Sequence, residues 1–254
     1  MLRFSSIMLM VVLSLLCWSV APKVRADTVT VAVAANFQFV MQTLEPDFTA
    51  SGHKLVVVPG STGKLYAQIR NGAPFDVFLS ADAATPERLV REGLGLADTR
   101  VTYALGRLVL LGRKGGLADC QTGLQKGQWE RLALANPKLA PFGQAAWQVL
   151  KSLGLEPARI SKKISLTENI TQSLQMVMSS NVDLAFVAQG QVTQAVQQEV
   201  GCQWAIPAAR HNPIVQQMVV LKHGMHNLAA HAFFSFLQGP QARQIIQRNG
   251  YGLP

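Results

Sequence analysis

The sequence predicts an α/β protein of two doubly wound sheet domains, and three observations carry that reading. Short β-branched runs alternate with stretches of helical spacing in the order βαβαβα, and the series then restarts. Two longer apolar runs, Leu105–Gly112 and Ile214–Leu221, suit crossings between the sheets. The chain has 254 residues, 49% of them hydrophobic, enough for two cores.

Taken in order, Thr28–Ala34 (TVTVAVA) predicts a strand and Phe37–Ala50 a helix. Strand Lys54–Val58 precedes helix Gly63–Asn71, and strand Asp76–Leu79 precedes helix Pro86–Glu92. After the first long run come strand Arg131–Ala135, helix Pro141–Leu153, strand Lys163–Leu166 and helix Glu168–Ser179. Strand Leu184–Val187, helix Gly190–Val200, the second long run and helices Asn227–Gln238 and Pro240–Asn249 complete the chain. A βαβ series implies parallel strands. The expected division is 27–104 with 210–254 as domain I and 105–209 as domain II.

Residues 1–26 read as a signal peptide. Arg3 precedes the apolar run Ile7–Val20, and Val24-Arg25-Ala26 offers a small-residue cleavage site after Ala26. That run is shorter than the ~20 apolar residues of a membrane span, and Leu15-Leu16 before Cys17 make a poor lipobox. Cleavage removes Arg3, Lys23 and Arg25, so the formal charge falls from +9 to +6. The remaining cations are scattered without interleaved aromatics, which argues against a nucleic-acid surface. Cys120 and Cys202 remain, and an oxidising compartment favours one disulfide between them; two unpaired core residues are the alternative.

Ligands of doubly wound sheets bind beyond the carboxyl ends of the strands. Four strand-to-helix turns therefore matter: Ala34–Phe37 with Asn36 as an N-cap, Pro59–Gly63 with Ser61 and Thr62, Asn136–Gly143, and Thr167–Ile170. In the third, Pro141 suits the first helical position, and Phe142 and Gly143 offer free amides. Four helix N-termini facing one cleft would form an anion site without a formal cation. Such donors suit an oxyanion that keeps no proton. Each turn alone reads more readily as ordinary helix capping than as a site.

No P-loop, G-x-S-x-G, H-E-x-x-H or C-x-x-C is present, so an enzyme is not expected. His223, His226 and His231 read as exposed residues near a helix start rather than metal ligands, and Asp76 and Asp82 as turn or capping residues.

Several segments then stand out: VAVAANF (31–37), GSTGKLYAQIRNGAPFDVFLSAD (60–82), YALGRLVL (103–110), ANPKLAPFG (135–143), DLAFVA (183–188), PIVQQMVVL (213–221) and, near the end, FLQGPQAR (236–243) and GYGLP (250–254). Through them the mature chain resembles the periplasmic molybdate-binding proteins of ABC importers. The resemblance implies the type II periplasmic-binding-protein fold, two doubly wound sheet domains joined by two hinge crossings. It implies capture of molybdate or tungstate as an oxyanion through Asn36, Thr62, Phe142 and Ile170, with Ala35 and Ser61 as possible additions. No cofactor and no direct cation ligand is implied. The partner is an ABC importer permease, and the chain is expected to be a periplasmic monomer, not embedded in the membrane after cleavage. The alternative is another tetrahedral oxyanion such as sulfate. Two positions depart from the resembling family: Asn36 stands where some members have Ser, and Ala188 where some donate a Tyr hydroxyl.

Overall fold

The computed structural model describes residues 27–156 and 158–254. The expected signal peptide, 1–26, lies outside the described residues.

The first half follows the alternation of its sequence. β1 (Thr28–Ala34) leads through a 3-10 turn (Ala35–Phe37) into α1 (Gln38–Thr49), then β2 (Lys54–Gly60), α2 (Thr62–Arg70), β3 (Val77–Leu79), α3 (Ala84–Arg91) and β4 (Val101–Gly106). The second half runs β5 (Leu108–Arg113), α4 (Cys120–Gln125), β6 (Leu132–Ala135), α5 (Pro141–Ser152), β7 (Ile164–Thr167), α6 (Ile170–Met178), β8 (Leu184–Ala188), α7 (Gln194–Gln198) and β9 (Val200–Ala205). β10 (Ile214–Val220), α8 (Leu228–Gln238) and α9 (Pro240–Arg248) return to the first half.

The strands form two five-stranded sheets, ordered β2-β1-β3-β10-β4 and β7-β6-β8-β5-β9. In each, the first three strands are parallel and the fourth is antiparallel to both its neighbours. The sheets are therefore mixed, where the βαβ series alone implied parallel ones. A strand arriving from the other sheet has no helix crossover to turn it parallel, so it pairs the opposite way round.

Two expectations are corrected. The long run Leu105–Gly112 is two strands, broken at Arg107, and each half pairs in a different sheet. The expected division after 104 thus lies two residues before the end of β4. The expected helix Gly190–Val200 is a 3-10 turn (Gln189–Gln191) and the short α7, and Val200–Ala205 is the unforeseen edge strand β9. Its exposed outer residues mask the strand signal, since only Cys202 of the six is buried.

Packing explains the composition of the central strands. β1 is covered by helices on both faces, so Val29 and the whole of Val31–Ala34 are buried. One core joins β1 and β10 to α1, α8 and α9 around Phe37, Phe48 and Phe233. The corresponding core of the second sheet gathers β5, β6 and β8 with α5 around Phe142, Leu150 and Phe186. Cys120 and Cys202 are joined as a disulfide, tying α4 to β9 across 82 residues of sequence.

Candidate functional site

The carboxyl ends of β1 and β2 face those of β6 and β7 across the gap between the sheets. A small cavity lies there, lined by Ala34–Asn36, Gly60–Thr62, Ala81, Ala140–Phe142, Asn169 and Ile170. All four turns meet in it, and no charged side chain lines it. Ala35, Asn36, Ser61, Thr62, Phe142 and Ile170 are each at most 4% exposed.

Local structure explains why these positions hold free donors. Thr62, Phe142 and Ile170 occupy the first turns of α2, α5 and α6, where an amide has no carbonyl four residues back. Their amides, and that of Asn36, meet no acceptor among the described residues. Ser61 caps α2, accepting from the Lys64 amide at 3.4 Å, and Asn169 caps α6, accepting from Thr171 and Gln172. Thr62 Oγ1 accepts from the Ala81 amide at 3.2 Å, which leaves its own proton to donate. Pro141 starts α5 without a donor, so Phe142 is the first free amide there. Gly143 is corrected: its amide goes to the Ala140 carbonyl. Its lack of a side chain is needed for another reason, because a Cβ there would strike the Ala135 carbonyl.

Asn36 differs from its expected role. It sits within a 3-10 turn and makes no side-chain cap. Instead its Nδ2 donates to Gln216 Oε1 at 2.7 Å and to the Tyr251 hydroxyl at 3.2 Å. The Tyr251 hydroxyl donates in turn to the Asn36 carbonyl at 2.7 Å. The Tyr103 hydroxyl lies 3.2 Å from both Gln216 Oε1 and the Ser80 carbonyl. Burial pushes the Tyr103 and Tyr251 hydroxyls above their usual range, so both remain protonated donors. Gln216 is fully buried, and its Nε2 has no partner among the described residues.

Sequence reasoning passed over this buried support. One signal was available: two glutamines interrupt the apolar strand PIVQQMVVL, and β10 carries Gln216 inward beside a register shift.

The two halves touch around the cavity. The Gly63 amide donates to the Leu139 carbonyl at 2.9 Å, and Lys64 Nζ pairs with Glu168 at 3.0 Å. From the second half, Thr171 Oγ1 donates to the Ala35 carbonyl at 3.1 Å. Ala188 is buried at the end of β8, and its amide donates to Gln191 Oε1. The remaining candidates lie elsewhere. His223 Nδ1 is 3.1 Å from Asp76 Oδ1, and His231 Nε2 is 2.9 Å from the Met225 carbonyl. Asp82 accepts from Thr85 at the start of α3.

Residues 29–252 match the family described as bacterial extracellular solute-binding protein. The chain is 45% identical over 231 residues to the molybdate-binding protein ModA of Azotobacter vinelandii, covering 90% of this chain and 91% of that one. It is 37% identical over 227 residues to the ModA of Rhodobacter capsulatus, covering 89% and 88%. Among solved structures, the Azotobacter vinelandii periplasmic molybdate-binding protein superposes with a TM-score of 0.83 at 40% identity, covering 89% of this chain and 99% of that one.

Proposed function

Because the chain belongs to the bacterial extracellular solute-binding proteins, and among them to the molybdate-binding ones, we propose that it captures molybdate in its interdomain cleft and delivers it to an ABC importer permease. The observation that carries this is the meeting of four unpaired amides, those of Asn36, Thr62, Phe142 and Ile170, in one cavity without a charged wall.

The chemistry follows from that set. Amides at helix starts present partial positive charge and fixed N–H groups, so a tetrahedral anion is bound without reorganising the protein. The Thr62 hydroxyl adds a donor whose oxygen is already held by Ala81. Hydrogen bonds to a charged acceptor are worth about 1.5–3 kcal/mol each, and burial excludes the water that would compete for them. A wall of donors rejects an anion that keeps a proton, because that proton would find no acceptor. The site takes the metal only as its oxyanion, with Asn36, Thr62, Phe142 and Ile170 as ligands and Ala35 and Ser61 beside them.

Tungstate has the same shape and charge and is taken as a second ligand. With the first boundary moved to the break at Arg107, residues 27–106 with 210–254 form one lobe and 107–209 the other, with the crossings between them as hinges. Export to the periplasm with cleavage after Ala26 brings the monomeric protein to its permease. The fixed amides of the cleft serve capture and release rather than turnover.

Isothermal calorimetry with molybdate, tungstate, sulfate and phosphate tests the reading. Tight binding of the first two and weak or absent response to the others is expected. Strong sulfate or phosphate binding without a molybdate response overturns it.

A further inference from the structure

We propose that Thr171 and Gln191 are positioning residues for the anion: from the second lobe they add a second donor to the Ala35 carbonyl, which the Gln38 amide already holds from within the first, and so steady the Asn36 amide of the same peptide when the lobes are together. This rests on the reading of the cleft as an oxyanion site.

The hydrogen bonds form one chain whose direction is forced at both ends. The Ala188 amide can only donate, and it donates to Gln191 Oε1 at 3.0 Å. That fixes the orientation of the Gln191 amide, whose Nε2 donates to Thr171 Oγ1 at 2.9 Å. With its oxygen accepting, Thr171 gives its own proton to the Ala35 carbonyl, which can only accept, at 3.1 Å. No link can reverse without leaving a donor facing a donor. Gln191 is fully buried, while Thr171 at the cleft is half-buried.

The last link acts on the anion site through one rigid unit. The Ala35 carbonyl and the Asn36 N–H belong to the same planar trans peptide. A donor on the oxygen fixes the plane and polarises the N–H on its other side. Thr171 directly follows Ile170, whose amide lines the cavity, so the helix start that presents one donor also steadies another across the cleft. Lys64–Glu168 and Gly63–Leu139 also span the lobes, but neither bond ends on the peptide that carries the Asn36 amide.

The test is molybdate calorimetry on Thr171→Val, Thr171→Ser, Gln191→Leu and the double variant Thr171→Val/Gln191→Leu, with melting of the ligand-free proteins alongside. Thr171→Val keeps the branched shape without the proton and is expected to weaken binding about tenfold, as for one lost hydrogen bond. Thr171→Ser is expected to restore most of that. Gln191→Leu lets the hydroxyl turn away and is expected to weaken binding similarly. The double variant should be no weaker than the worse single one, since both cut the same chain. Unchanged affinity in Thr171→Val, no rescue by Ser, or additive losses overturns the proposal. A wild-type chain that ignores molybdate and binds sulfate overturns the functional reading instead, and the same comparison is then made with sulfate.

Discussion

The Tyr251 hydroxyl grips Asn36 twice, donating to its carbonyl at 2.7 Å and accepting from its side-chain amide at 3.2 Å. A residue that follows the last helix thereby holds a residue of the first strand-to-helix turn. Tyr251→Phe removes both bonds while keeping the ring packed against Phe37. The expected loss in molybdate affinity is about 1 kcal/mol, the net worth of one hydrogen bond. Calorimetry that finds Tyr251→Phe equal to wild type means that the grip does not matter to the site.

Thr62→Ala tests the hydroxyl donor. The loss should be about 1–2 kcal/mol of binding, with a small change in melting temperature because only the Ala81 amide loses an acceptor. An unchanged dissociation constant would mean that the second turn does not reach the anion.

Asn36→Asp is expected to cost more than Thr62→Ala. It sets a negative charge beside the anion and against Gln216 Oε1, which now accepts from the Asn36 amide. Binding should fall at least a hundredfold at pH 7 and recover in part as the pH drops and the carboxyl takes a proton. A loss independent of pH contradicts this account.

The disulfide should serve stability alone. Cys120 and Cys202 tie α4 to β9 and take no part in lining the cavity. Replacing both by Ala should cost about 2–4 kcal/mol, the usual worth of a native bridge. Denaturant unfolding should show that loss while calorimetry shows unchanged molybdate affinity.

Acid should weaken the second lobe through Asp183. Burial raises its pKa, but donation from the Arg131 amide, Arg113 and the Glu130 amide outweighs that and leaves it lowered. A carboxyl with a lowered folded pKa adds stability above its unfolded pKa of about 3.9 and loses it as pH falls through the folded value. Asp183→Asn should therefore destabilise the protein at pH 7, and the gap from wild type should narrow below about pH 4. A gap of constant size across that range, in pH-dependent urea unfolding, contradicts this reading.

Most of the fold is legible in the sequence because each element has its own periodicity. β6 and β8 are continuous apolar runs of the kind that buried parallel strands need, and β1 becomes one from Val31 onward. The helices α5 and α6 begin at visible punctuation, Pro141 and Asn169. Edges are less legible: β9 exposes most of its residues, and the break at Arg107 has no periodicity to announce it. The turns of the site are visible as capping chemistry, yet capping occurs at every helix start.

What the sequence alone determined is local: two alternating series, four turns rich in small residues and hydroxyls, and, through resemblance, molybdate as the expected cargo. Tertiary structure decided which of those turns share one cavity and which donors remain free within it. It assigned the Asn36 side chain to Gln216 and Tyr251, and the Gly143 amide to Ala140. It also joined the local Ala188–Gln191 pair to Thr171 and, across the cleft, Thr171 to Ala35. The physical reason is that bonds such as Asn36–Gln216 and Thr171–Ala35, 180 and 136 positions apart, leave no period in the sequence. Only packing brings the two ends of each within hydrogen-bonding distance.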